Sequence, residues 1–349
     1  MKINYFFLVL MFTVVSGFAA AQSSGDYTVP KTEYNQPDLQ GVWNFASSIP
    51  LQRPTRFGHQ EFLTPEEVEA EKQRVTDAAA EADAAAAQLV VNPDAPQAGT
   101  DPGGYNDFWF ESAGIGDIVR TSLIVYPENG RWPASVEGIP RQFDTLGSDI
   151  PSTRPVRTLV GGIAKDGPED RGLSERCIVG FNSGPPFIPS LYNNNVQIIQ
   201  GRDTAVIMTE MIHDARIVPL GNKPDLPDDI RLWSGDSRGW YEGDTLVVET
   251  KNFNGLRQTI SFSGQGTNYD TLLTERFTRI SYDTLEYEFT VNDPGTYSDK
   301  ITVIVPMTKV AGQLYEYACH EGNYGMQNIL RGARIEDSRA AEEGSASSR

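Results

Sequence analysis

The chain has 349 residues, a length that suits one large or two modest domains and buries a full hydrophobic core without a disulfide lattice. Its 47 acidic side chains outnumber 29 basic ones, giving a net charge of −18 with no basic cluster. That balance excludes a nucleic-acid partner, which needs grouped Lys and Arg for phosphate contacts. With 39% hydrophobic residues, 32 Gly, 22 Pro and few long helical periodicities, the composition points to a globular, β-rich fold.

Residues 1–21 carry Lys2, an apolar run from Tyr5 to Val15, and then Ser16-Gly17-Phe18-Ala19-Ala20-Ala21. A basic start, an apolar stretch and a small-residue A-x-A site read as a secretory signal cut before Gln22. The apolar run is shorter than the roughly 20 residues needed to span a bilayer, so no membrane insertion is expected after cleavage. The expected setting is periplasmic or extracellular. Cys177 and Cys319 are the two thiols of the chain, and an even count in an oxidising compartment predicts a disulfide; two buried free thiols are the alternative.

Residues 22–36 read as an extended leader, and residues 37–335 as a single domain that opens at Pro37-Asp38-Leu39-Gln40-Gly41-Val42-Trp43. Thr64-Pro65-Glu66-Glu67 starts a helix: Thr64 caps, Pro65 suits the first helical position and Glu67 completes a capping box. The Ala/Glu/Asp-rich stretch carries this helix to about residue 88 on the surface of the body, and a Pro/Gly/Asn/Asp-rich segment at 92–106 ends it. A strand is predicted over 120–126, followed by the turn Pro127-Glu128-Asn129-Gly130. Residues 131–190 are long and irregular, which points to a functional or covering role. Strands follow in series at 196–200, 204–218, 231–241, 245–252, 272–281, 284–292, 300–307 and 313–320, with hairpin turns at Glu242-Gly243-Asp244 and Tyr282-Asp283. Residues 336–349 are expected to be a disordered tail. Strands joined by hairpins without intervening helices describe an antiparallel meander, and a closed barrel is expected because it leaves no exposed edge.

Gly41-Val42-Trp43 resembles the G-x-W opening of lipocalin-like (calycin) barrels. Longer runs resemble a family of secreted bacterial proteins of uncharacterised function. They are Gly104-Tyr105-Asn106-Asp107-Phe108-Trp109, Asp166-Gly167-Pro168-Glu169-Asp170-Arg171 and Tyr192-Asn193-Asn194-Asn195. Further matches are Thr209-Glu210-Met211-Ile212-His213-Asp214-Ala215-Arg216, Gly235-Asp236-Ser237-Arg238-Gly239-Trp240, Glu275-Arg276-Phe277-Thr278-Arg279 and Cys319-His320-Glu321-Gly322-Asn323-Tyr324-Gly325. This resemblance spans most of the mature chain and implies no reaction, so chemistry rests on the residues.

The densest candidate is 209–216. In one continuous strand, alternation places Glu210, Asp214 and Arg216 on one face and His213 on the other. Either the carboxylate–guanidinium set or His213 then lines a barrel interior; an interstrand ion pair satisfied by Arg216 is the structural alternative. The second candidate is the 319–325 loop at the end of the last strand. There His320 suits proton transfer near neutral pH, and Glu321, Asn323 and Tyr324 offer hydrogen bonds; a rigid terminal turn is the alternative. A Cys177–Cys319 bridge would hold this loop in place. Asn194 lies in a polar run that either contacts a hydroxylated ligand or forms a turn. Tyr105 and Trp109 either cover a pocket or staple their loop to the core.

His213 and His320 with Glu210, Asp214 or Glu321 would be adequate ligands for zinc, but H-E-x-x-H and H-x-H spacings are missing and no metal is expected. There is no G-x-S-x-G nucleophile elbow, and neither Gly161-Gly162 nor Gly264-x-Gly266 precedes a helix, so no organic cofactor is expected. The leading expectation is a secreted, cofactor-independent enzyme acting on a small molecule in the barrel mouth by acid–base chemistry: a lyase, isomerase or hydrolase. In it His320 exchanges protons with Glu210 or Asp214 while Arg216 holds an anionic or carbonyl oxygen. The alternative is a periplasmic carrier for a small hydrophobic or aromatic ligand. A mostly apolar interior would favour the carrier, and converging charged groups the enzyme.

Overall fold

A computed structural model describes residues 27–91, 119–138, 164–180, 182–254 and 268–347. The first strand, β1 (Gly41–Asn44), is short. Helix α1 (Pro65–Val91) begins at the capping box, where the Thr64 N–H donates to Glu67 at 2.8 Å and the Glu67 N–H donates to the Thr64 hydroxyl at 3.3 Å. Val68 anchors this helix, being 3% exposed. Strand β2 (Ile124–Tyr126) is shorter than the predicted 120–126, because Arg120 bridges Phe62 instead. Then come β3 (Asn195–Gln200), β4 (Thr204–Thr209), β5 (Ala215–Pro219), β6 (Asp236–Glu242), β7 (Thr245–Lys251), β8 (Leu272–Arg279), β9 (Thr284–Asn292) and β10 (Ile301–Val310).

All ladders between these strands are antiparallel, in the order β5-β4-β3-β1-β10-β9-β8-β7-β6, with β2 added beside β10. The β-rich expectation stands, but the sheet is not closed into a barrel. Its end strands, β5 and β6, meet at one parallel bridge, Leu220 to Gly239, where the Gly221 N–H donates to the Gly239 carbonyl at 2.9 Å. Two local features shape the contact. Pro219 has no N–H to give a ladder. The close approach also depends on a glycine, since a Cβ at position 239 would sit 2.9 Å from both Leu220 and Val218.

The inward face alternates as the meander requires: Leu273, Phe277 and Leu285, Tyr287, Phe289 and Val303, Val305, Met307 are all fully buried. Trp43, Phe45, Phe187, Phe253, Phe277, Tyr287 and Phe289 fill this interior. Trp43 donates its indole N–H to the Leu39 carbonyl at 2.9 Å and lies under the Arg279 guanidinium, 5.7 Å from its ring centre. Arg279 is itself buried, donating to the Asp38 and Tyr282 carbonyls at 3.0 and 2.8 Å.

Three further expectations change. The predicted single strand 204–218 is broken: Thr209 turns the chain back by donating its N–H to the Asp214 carbonyl at 2.9 Å and its hydroxyl to the Met211 carbonyl at 3.1 Å. The resulting 3-10 turn, Met211–His213, holds Ile212 and His213 at φ 61° and 46°. Residues 313–320 carry no strand, and a helix, α2 (Tyr324–Ser347), occupies the place of the expected tail. Asn323 starts α2 by accepting the Met326 N–H at 3.2 Å, the geometry of a helix N-cap. Arg334 ties the helix down through the Asp166 and Lys165 carbonyls at 2.9 and 3.0 Å.

The predicted disulfide is present: Cys177 and Cys319 are bonded, with Cα atoms 5.7 Å apart. Among the described residues no helix is long and apolar enough to cross a membrane.

Candidate functional site

Arg216 lies on β5 opposite Ile207 of β4, and its guanidinium reaches across the interior to Glu275 of β8. The pair is bidentate: Nη1 bonds Oε2, and Nη2 donates to Oε1 at 2.9 Å. Glu275 is fully buried, and the Arg216 side chain is 12% exposed. Tyr287 of β9 completes the set, donating its hydroxyl to Glu275 at 2.7 Å and accepting the Phe187 N–H at 3.1 Å. Burial disfavours the Arg216 cation, but Glu275 foremost, then Tyr287 and last Asp214, hold its pKa above the ordinary arginine value. Burial and the Glu275 charge together push the Tyr287 hydroxyl well above the tyrosine range, so it stays protonated. Two charges removed from water survive only where the geometry is good and further hydrogen bonds help, and here the bidentate contact and the Tyr287 hydroxyl supply both to Glu275.

A cavity of about 250 Å³ opens beside this set, at the seam between β5 and β6. Its walls come from three stretches: Ser183–Phe187, Asp214–Ile217 and the residues around Asp236 that lead into β6. Phe187, Ile207, Ile217 and Leu232 supply apolar surface, and Arg216 lines the cavity beside them. Asp236 is engaged, accepting from Arg238 at 2.7 Å and from the Leu226 N–H at 3.1 Å. Ser237 shares its hydroxyl hydrogen bond with Thr250 at 2.8 Å. The Asp214 carboxylate differs: among the described residues no hydrogen bond reaches it.

The turn that presents Asp214 is built from behind. Cys177, Met211 and Ile212 form a small buried cluster, against which Tyr192, Tyr317 and Cys319 pack. The approach is close enough that a Cβ at Gly180 would lie 2.2 Å from Met211. A β-branched residue in the left-handed region is a costly conformation that persists where its surroundings over-determine it. Here the disulfide-bonded 177–180 segment supplies that constraint.

Of the sequence candidates, the structure brings Asp214 and Arg216 together at the cavity. Glu210 is held elsewhere, accepting from Asn195 at 2.7 Å, with Asn195 in turn bonded to Asn44 at 2.9 Å. His213 projects to solvent from the strained turn. His320, Glu321 and Tyr324 are exposed around the start of α2, and no hydrogen bond or ion pair joins His320 to Asp214, Glu210 or Arg216. Asn323 caps α2 and donates to the Glu175 carbonyl at 2.7 Å. Asn194 is fully buried in a turn, bonding the Ser190 N–H and carbonyl at 2.8 and 2.9 Å. Tyr105 and Trp109 lie outside the described residues. No group of three or more His, Cys, Asp or Glu among the described residues is arranged to hold a metal ion.

Glu275 and Tyr287 are the members that sequence reasoning missed. The signal was there for Glu275, which alternates with Leu273 and Phe277 on the buried face of β8 and so places a carboxylate in an apolar row. Tyr287 is indistinguishable by sequence from a core aromatic. No protein-family model matches the chain, and no curated protein matches its sequence.

Proposed function

We propose that the chain is a secreted enzyme that performs acid–base chemistry on a small molecule held at the seam between β5 and β6. Asp214 is the proton acceptor in this reading. Arg216, locked by Glu275 and Tyr287, presents its remaining N–H groups to an oxygen of the bound molecule. The observation that carries the proposal is Asp214, which lines the cavity and whose carboxylate has no hydrogen-bond partner among the described residues, beside a bidentate buried ion pair. A carboxylate so placed, within reach of a bound hydroxyl, water or acidic C–H, is equipped to take a proton. Such a transfer is a first step open to lyase, isomerase and hydrolase chemistry alike. The apolar-carrier alternative loses support, because the interior it would need is filled by Phe45, Phe187, Phe277, Tyr287 and Phe289. Export is supported by the signal-like residues 1–21 and by the disulfide.

The test is turnover of a fractionated small-molecule extract, followed by mass spectrometry, with wild type and Asp214→Asn compared. Loss of a positioned general base costs roughly 10²–10⁴ in rate, so the substrate peak that wild type depletes should persist with the variant. Equal depletion by both, with unchanged circular dichroism, would remove Asp214 from the chemistry.

A further inference from the structure

The charges around the seam cavity do not balance, and the imbalance selects the ligand. Arg216 contributes no net cation, since its charge is matched at bonding distance by the fully buried Glu275. Asp236 contributes no net anion, since Arg238 holds it at 2.7 Å. Among the described residues what remains is Asp214, a negative charge that no hydrogen bond reaches, on a wall whose other charged side chains are paired. The whole chain reinforces this sign, at −18.

We infer that the cavity takes a small molecule carrying an ammonium or hydroxyl donor on one compact apolar ring, and discriminates against the carboxylate of the same shape. This assigns a ligand class to the site proposed above and rests on that reading. Size agrees with it. A dry cavity of about 150 Å³ is enough to hold benzene, so about 250 Å³ accommodates one ring and a short polar arm. The ring lies among Phe187, Ile207, Ile217 and Leu232, and the arm reaches Asp214. A carboxylate on that arm meets Asp214 as a like charge, and Arg216 cannot compensate while Glu275 holds it.

Three probes of one shape separate the possibilities: benzylamine, benzyl alcohol and benzoate, titrated into the oxidised full chain and followed by protein NMR. Benzylamine should saturate, shift the methyl signals of Ile217 and Leu232, and bind at least about tenfold more tightly than benzoate, as a charge-assisted hydrogen bond gives. Asp214→Asn should weaken benzylamine by a similar factor and benzyl alcohol by less, since the amide oxygen still accepts from a hydroxyl. Added salt should weaken benzylamine and spare the alcohol. Benzoate binding in the cavity as tightly as benzylamine would overturn the ligand class while leaving the cavity as a site. Failure of all three to shift Ile217 and Leu232 would overturn the site and the inference together.

Discussion

Removing the Cys177–Cys319 bridge tests whether the disulfide holds the turn that carries Asp214. The cross-link closes a loop across 142 positions of sequence. In the chain-entropy account a loop of that size is worth about 5 kcal/mol, drawn from the unfolded ensemble. Unfolding entropy near 60 °C is about 2.1 cal/mol/K per residue, so for roughly 300 folded residues this corresponds to a fall in Tm of about 8 °C. The double variant Cys177→Ala with Cys319→Ala avoids any added reductant, and thermal and urea unfolding give the global change. Hydrogen exchange supplies the local one. If the buried cluster of Cys177, Met211 and Ile212 enforces the left-handed conformations at Ile212 and His213, amides at 210–214 should open far more readily in the variant than those of β8 to β10. A Tm within about 2 °C of wild type would refute the entropic magnitude. Unchanged protection at 210–214 would show that the Thr209 hydrogen bonds alone sustain the turn.

Two other outcomes follow from the buried set. Glu275→Gln strands the Arg216 cation and should cost about 3–5 kcal/mol in denaturant unfolding, whereas Arg216→Met combined with Glu275→Leu should recover most of it; a loss under about 1 kcal/mol would mean that water already reaches the pair. Tyr287 has its pKa raised in the folded state, so its contribution to stability is complete below about pH 10, the ordinary tyrosine value, and is lost as pH climbs from there through the folded value. A spectroscopic titration of tyrosinate should therefore show one tyrosine that ionises together with unfolding, and Tyr287→Phe should lessen the alkaline loss of stability; equal alkaline sensitivity in both proteins would contradict the assignment.

The strands of the meander were readable because alternation of two leaves a direct mark: β9 was placed to the residue, and β3, β7 and β8 to within two. The capping box at Thr64 was readable for a similar reason, since its chemistry is local in sequence. What failed was long-range or locally disguised. The break after Thr209 depends on Ile212 adopting a conformation that its side chain disfavours, enforced by residues from 177 and 319. The polar run ending at Gly325 suggested a loop, yet Asn323 uses its side chain to start a helix, and the Ala, Glu and Arg content beyond it sustains that helix. Closure could not be judged from strand count, because it turns on Pro219 and on how β5 meets β6. At the site, Arg216 and Asp214 were identified as charged residues, but the partner of Arg216 lies 59 residues away on another strand.

The place of β1 in the middle of the sheet has a consequence for biosynthesis. Trp43 pairs with Val196 on one side and with Lys309 on the other. At about 5–20 residues per second, a ribosome needs roughly 15–50 s to travel from Trp43 to Lys309. Throughout that interval Val42, Trp43 and Phe45 are an apolar segment with half a docking place or none. Pairing of β1 with β3 can come earlier, but the amino-terminal strand gains its second neighbour only when β10 arrives. A stop codon before residue 301 would leave the first strand paired with β3 alone and its other edge open.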